Sequence, residues 1–173
     1  VFTENGADPH GQAGDRTLQM GDTVLIDMGG MLDGYASDMT RVYFTDPNHD
    51  LKKIYNIVLE ANKAAINAVK IGVPLSTVDK AARDVIEAHG YGPQFTHRTG
   101  HGIGRETHEP LDVSSKNNTI IEAGMCFSIE PGIYIEGFGG IRIEDLVCVT
   151  EDEVLVLNSA PKEFDDIVIT PLP

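Results

Sequence analysis

The sequence contains no tryptophan, two cysteines, and 13 basic residues against 27 acidic ones. The formal charge of −14 argues against nucleic acid or an anionic membrane as a partner, because both attract positive charge. No apolar run approaches the length that a bilayer span requires. Cys126 and Cys148 each sit in an apolar, strand-like run. They are read as buried free thiols, with a disulfide as the minority alternative, and a reducing, cytoplasmic compartment as the expectation. The chain opens on Val1 with no signal-peptide pattern. It is therefore expected to begin partway through a longer protein, and the missing signal says little about location. Its 173 residues suit a single domain, large enough to bury a core.

What is present is organised around residues 23–44, two strand-like runs joined at Asp33-Gly34. Asp-Gly between apolar runs signals a tight hairpin, because Gly supplies the positive φ of a primed turn. A turn there sets Asp27 opposite Thr40 and Asp38 opposite Gly29. Slipping the loop to Leu32-Asp33 would instead set Asp27 across from Asp38. Either register puts both carboxylates on one face, since strand side chains alternate with period two. Like charges that close on a sheet repel, so a cation is expected between them.

Residues 1–22, rich in glycine, read as loop, and His10 lies within it. Taken alone, His10 is a solvated loop histidine. Apolar residues at helical spacing predict one helix over about 49–70, and a second from an N-cap at Ser76 to Ala88. The pair shows no polar cluster on its apolar face and reads as packing. In the following QFTHRTGHGIG stretch, glycines make a helix poor, whereas an extended strand puts positions 97, 99 and 101 on one face. The alternate glycines match no phosphate-loop spacing and are better explained by close backbone approach within a site.

Residues 121–150 predict a second hairpin, with a loop centred on Gly137 that would face Glu130 towards Glu144. A bulge is expected at Pro131 and Gly132. Two carboxylate-bearing hairpins separated by a helix pair suggest an internal duplication. The run after residue 150 reads as a last strand and an irregular end. Asp27, Asp38, Glu130 and Glu144 all lie in otherwise apolar strands, and burying them uncompensated costs several kcal/mol each. Two divalent cations would balance them, and with His101 the oxygen-plus-imidazole set suits Mn, Co, Fe or Zn better than Ca or Mg. Paired cations generate a nucleophile from water at neutral pH and clamp both sides of a hydrolytic transition state.

The motifs DMGG…SDMTRVYF, HRTGHGIGRETHEP, FSIEPGIY and GGIRIEDLVCVT together resemble the catalytic domain of Xaa-Pro dipeptidases (prolidases) and aminopeptidase P. These are M24 metallopeptidases of the pita-bread fold. The resemblance implies an α+β architecture, a curved antiparallel sheet covered by helices, here without the first helix pair, and a chain that is the C-terminal part of a longer peptidase. It implies that Asp27 chelates one metal, that Asp38 and Glu144 bridge both, and that His101 and Glu130 bind the other. Manganese is the expected ion, with Co, Zn or Fe as alternatives. By the same resemblance Glu130 is the proton shuttle, His108 supports the developing oxyanion, and His10, His97, His108 and Arg142 contact substrate. A proline-containing dipeptide or peptide is the expected substrate, and a homodimer the expected state of the full-length protein. Methionine aminopeptidase shares the ligands, but Arg142 and the short loop between the glutamates are typical of the prolidase branch. A non-catalytic pita-bread binding module is the other alternative, and the intact ligand set counts against it.

Overall fold

A computed structural model of the chain describes residues 1–169. The hairpin of β1 (Thr23–Leu32) and β2 (Tyr35–Phe44) has the register expected for the Asp33-Gly34 turn, with Asp27 opposite Thr40 and Gly29 opposite Asp38. Asp33 and Gly34 take φ of 50° and 83°, the two positive values that a primed turn needs. The slipped register is excluded.

Helix α1 spans Lys52–Ala68 and α2 spans Leu75–Ala88. Both bury an apolar stripe, including Tyr55, Val58 and Ala65 of α1 and Leu75, Val78 and Ile86 of α2. They pack on each other, with α1 against the sheet strands. Ser76 is not the cap of α2. Pro74 holds the N-cap position, and the Ser76 hydroxyl bonds Asn118 Oδ1 at 3.0 Å. The pair also carries polar groups inward, contrary to expectation. Asn62 and Asp79 are fully buried; each has found partners far along the chain, as buried polar groups must.

Seven shorter strands follow: β3 (Gly100–Gly102), β4 (Glu109–Val113), β5 (Cys126–Ile129), β6 (Gly132–Ile135), β7 (Gly139–Arg142), β8 (Asp145–Val149) and β9 (Val154–Val156). The main antiparallel sheet has the order β4-β3-β5-β8-β9, and β6 and β7 form a separate ribbon. One register runs through both parts of the second hairpin, from Cys126 opposite Cys148 to Ile135 opposite Gly139. Glu130 and Pro131 therefore interrupt the ladder without inserting a residue, Gly132 pairs again with Arg142, and the bulge expected at Pro131 and Gly132 is absent. Within the interruption, Glu130 N–H turns to the Thr99 carbonyl at 2.7 Å and Glu144 N–H to the Thr40 carbonyl at 3.2 Å. The second of these joins the two hairpins at a bridge between Thr40 and Glu144.

Cys126 and Cys148 are not free. They form a disulfide, being directly opposed on β5 and β8 with Cα atoms 4.3 Å apart, within bridging reach. The support that free thiols lent to a reducing compartment goes with them. The expected final strand is β9; of the irregular end after it, residues 170–173 lie outside the described residues. Ile26, Met28, Met31, Leu32 and Tyr35 of the first hairpin are exposed. Among the described residues no helix is long and apolar enough to cross a membrane.

Candidate metal centre and substrate cleft

A cleft of about 350 Å³ opens where the two hairpins meet β3, lined by Pro9, His10, Asp27, Asp38, His97, Arg98, His101, Thr107, His108, Glu130, Arg142 and Glu144. Every residue expected to bind metal or substrate lines it. The hairpin registers put the acidic residues there: Asp27 and Asp38 lie diagonally on one face of the first ribbon, and Glu130 and Glu144 occupy the break in the second. Asp38, His101 and Glu144 each offer a ligand atom within 4.8 Å of the others.

Three details fit this site to a cation. Glu144 Oε1 is buried without a hydrogen-bond partner, although Oε2 accepts the Thr40 hydroxyl at 2.7 Å. The His101 Nδ1 lies 2.9 Å from the Gly102 carbonyl. A carbonyl only accepts, so Nδ1 carries a proton and Nε2 is the nitrogen left to present a lone pair to a metal, the arrangement found for metal-binding imidazoles. That nitrogen faces carboxylate oxygens of Glu130 at 3.5 Å and Asp38 at 3.8 Å. A lone pair and carboxylates converging without a donor between them form a donor set for a metal ion.

The acids show the electrostatic cost of converging. Burial, reinforced by Glu130 and Asp38, pushes Glu144 up to about 9. Burial also pushes Glu130 up to about 7, against the pull of Arg142. Asp38 is raised by burial and by the Asp27 charge. Asp27 stands apart, half-exposed and paired with Arg142 Nη2 at 2.6 Å.

Arg142 does more than face the cleft. It donates to Asp27, to the Tyr134 oxygen at 3.0 Å, to the Thr40 hydroxyl at 3.2 Å and to the Pro9 carbonyl at 3.2 Å, which holds the His10 loop beside the acids. His97 Nδ1 lies 2.7 Å from the Arg98 carbonyl, and Nε2 lies 2.8 Å from the Tyr134 hydroxyl. Burial pushes His97 down to about 4, so its ring is neutral and Tyr134 donates to Nε2. His10 and His108 are exposed, and the His108 ring lies 4.2 Å from that of His101.

Thr99 does not share the cleft-facing side with His97 and His101. Its hydroxyl turns to Asp79 Oδ1 at 2.7 Å, because β3 is extended only from Gly100. Gly100 and Gly102 admit neighbouring backbone, and Gly104 the Glu109 carboxylate, rather than a ligand. A Cβ at Gly100 would collide with the Ser128 carbonyl, and one at Gly102 with the Pro110 carbonyl. Sequence reading missed Tyr134, Thr40 and Asn158. The last bonds the Asp38 carbonyl at 2.9 Å and the Leu146 N–H at 2.6 Å.

Residues 1–151 match the sequence profile of metallopeptidase family M24. An uncharacterized peptidase of Staphylococcus aureus (strain bovine RF122 / ET3-1) is 48% identical over 163 residues, covering 94% of this chain and 46% of the relative. The prolidase from Thermococcus sibiricus superposes with a TM-score of 0.92 at 41% identity, over 97% of this chain and 45% of that one. The X-Pro aminopeptidase from Thermotoga maritima gives a TM-score of 0.91 at 37% identity, over 99% and 48%. The chain thus spans about half the length of the relatives it matches, and its α+β architecture is their pita-bread fold. It belongs to metallopeptidase family M24.

Proposed function

We propose that these residues form the catalytic unit of a dinuclear metallopeptidase that hydrolyses the peptide bond preceding proline. The observation that carries this reading is the convergence of Asp27, Asp38, His101, Glu130 and Glu144 on one cleft, with a buried Glu144 oxygen left unpartnered. Asp27, Asp38 and Glu144 would hold one ion, and Asp38, His101, Glu130 and Glu144 the other. Manganese is the proposed metal. Two divalent cations there supply Lewis acidity and a water nucleophile at neutral pH.

The chain's own groups do the rest. Glu130, lining the cleft beside the proposed ions, takes the proton of the attacking water and returns it to the leaving nitrogen as general base and then general acid. His108, exposed at the cleft rim, donates to the developing oxyanion. Arg142, largely spent on Asp27, Tyr134 and Thr40, orients Asp27 and the His10 loop beside the substrate. His10 and His97 flank the peptide. The printed names of the structural neighbours, a prolidase and an X-Pro aminopeptidase, support Xaa-Pro selectivity and leave two branches, dipeptides or longer peptides. A homodimer is proposed for the full-length protein.

Assaying Mn-loaded protein on Xaa-Pro dipeptides, longer Xaa-Pro peptides and Met-starting peptides separates these readings. Cleavage before proline, abolished by chelator, is expected. Preference for the Met series would overturn the proline assignment.

A further inference from the structure

The helix pair was expected only to pack, yet α2 directs an ion pair, Asp79 buried and Arg83 partly exposed, at the segment that precedes β3. Asp79 is completely buried, and both of its oxygens are used. One accepts Arg83 Nε at 2.7 Å and the other the Thr99 hydroxyl at 2.7 Å. Arg83, held flat by Asp79, donates Nη2 to the His97 carbonyl at 2.6 Å and Nη1 to the Phe95 carbonyl at 3.2 Å. Its guanidinium also lies 4.2 Å from the Phe95 ring centre. Every second residue from Phe95 to Thr99 is thus gripped by one carboxylate–guanidinium pair. The grip reaches further, since the Thr99 carbonyl accepts the Glu130 N–H at 2.7 Å.

We propose that Asp79 and Arg83 are positioning residues that fix the 95–99 segment, so that α2 sets where the His97 imidazole stands in the substrate cleft. The segment's other anchors are the Thr99 N–H on the Val113 carbonyl at 2.8 Å, the Phe95 N–H on the Gly92 carbonyl at 3.1 Å and the His97 ring on Tyr134; among the described residues the Phe95 and His97 carbonyls are held by Arg83. The segment lies between the short turn Gly92–Gln94 and β3, and belongs to neither. Arg is required rather than Lys, because a planar fork serves a carboxylate and two carbonyls at once, whereas an ammonium is a point donor. A buried carboxylate left without its partner is costly, which makes the pair interdependent. The consequence for substrate rests on the peptidase reading above; the consequence for His97 does not.

The test uses intact, metal-loaded protein and compares wild type with Arg83→Lys, Arg83→Met and the double variant Asp79→Asn/Arg83→Met. The double variant removes both charges and so avoids stranding one. An Xaa-Pro peptide gives KM and kcat, Mn titration gives metal stoichiometry, and imidazole NMR follows His97. Arg83→Met and the double variant are expected to lower kcat/KM about 10- to 100-fold, carried mainly by KM, with metal stoichiometry unchanged. The His97 titration should move up from about 4, and in Arg83→Lys, which keeps the charge that itself lowers His97 but not the fork, it should return only part of the way, as should KM. A folded variant whose His97 titration matches wild type overturns the proposal, even if its Tm has fallen. Should wild type fail to cleave the peptide, the peptidase reading falls alone, and the His97 titration still decides the role of Asp79 and Arg83.

Discussion

The Thr40 hydroxyl donates to Glu144 Oε2 at 2.7 Å across a separation of 104 residues. The same pair carries the backbone bridge between the two hairpins. Fold and site are therefore joined at one point, where the oxygen that orients a buried glutamate belongs to the strand bearing Asp38. Replacing Thr40 with Val would strand a second Glu144 oxygen and free the Arg142 Nε bond. The expected cost is about 1–3 kcal/mol of stability and a loss of about 10- to 100-fold in metal affinity. Denaturant unfolding and Mn titration of the variant check both.

The raised acids make an unusual prediction for metal-free protein. Asp38, Glu130 and Glu144 titrate higher folded than unfolded, so the folded state binds the extra protons. Their stabilising contribution is fully present below the unfolded carboxylate range and is lost as pH rises through about 7 for Glu130 and about 9 for Glu144. The Tm of chelated protein should rise as pH falls from 9 to 5, and added Mn should erase that slope. A metal-free Tm that is flat over this interval contradicts the assigned burial.

Asp22 has the opposite sign. Two Arg16 nitrogens at 2.7 Å each, the Gln19 N–H at 2.6 Å and the Thr3 hydroxyl at 2.9 Å hold its carboxyl well below the usual range. Its contribution is present above the unfolded carboxylate pKa and is lost as pH falls through the folded one. Asp22→Asn should destabilise the protein at neutral pH and flatten the acid limb of its Tm–pH profile. An unaltered acid limb would show that this loop is not anchored through Asp22.

His108→Ala addresses the oxyanion role. Because its ring contacts that of His101 but it ligates nothing in the proposed scheme, kcat should fall about 100- to 1,000-fold with KM little changed. Steady-state kinetics together with metal analysis separate this from ligand loss: a fall in bound metal would place His108 in the coordination sphere.

Local chemistry explains which parts were legible in the sequence. Asp33-Gly34 dictates its own turn, and that turn dictates on which face Asp27 and Asp38 lie. The loop at Gly137 does the same for the second hairpin. The bulge was misjudged because Pro131 lacks an N–H, which breaks a ladder but need not lengthen a strand. Asn62 and Asp79 escaped notice because one polar residue in an amphipathic pattern looks like surface. Their burial depends on Lys162, on Thr99 and on Arg83, none of which periodicity can pair with them. The disulfide, kept only as the minority alternative, was itself legible: the register centred on Gly137 that faces Glu130 towards Glu144 also opposes Cys126 and Cys148.

Mn stoichiometry in intact protein, measured by equilibrium dialysis alongside Xaa-Pro cleavage, tests the two-metal centre most directly. Two ions per chain are predicted, with Glu144→Gln reducing that number and removing activity together. Fewer than two ions in protein that still cleaves before proline would contradict it.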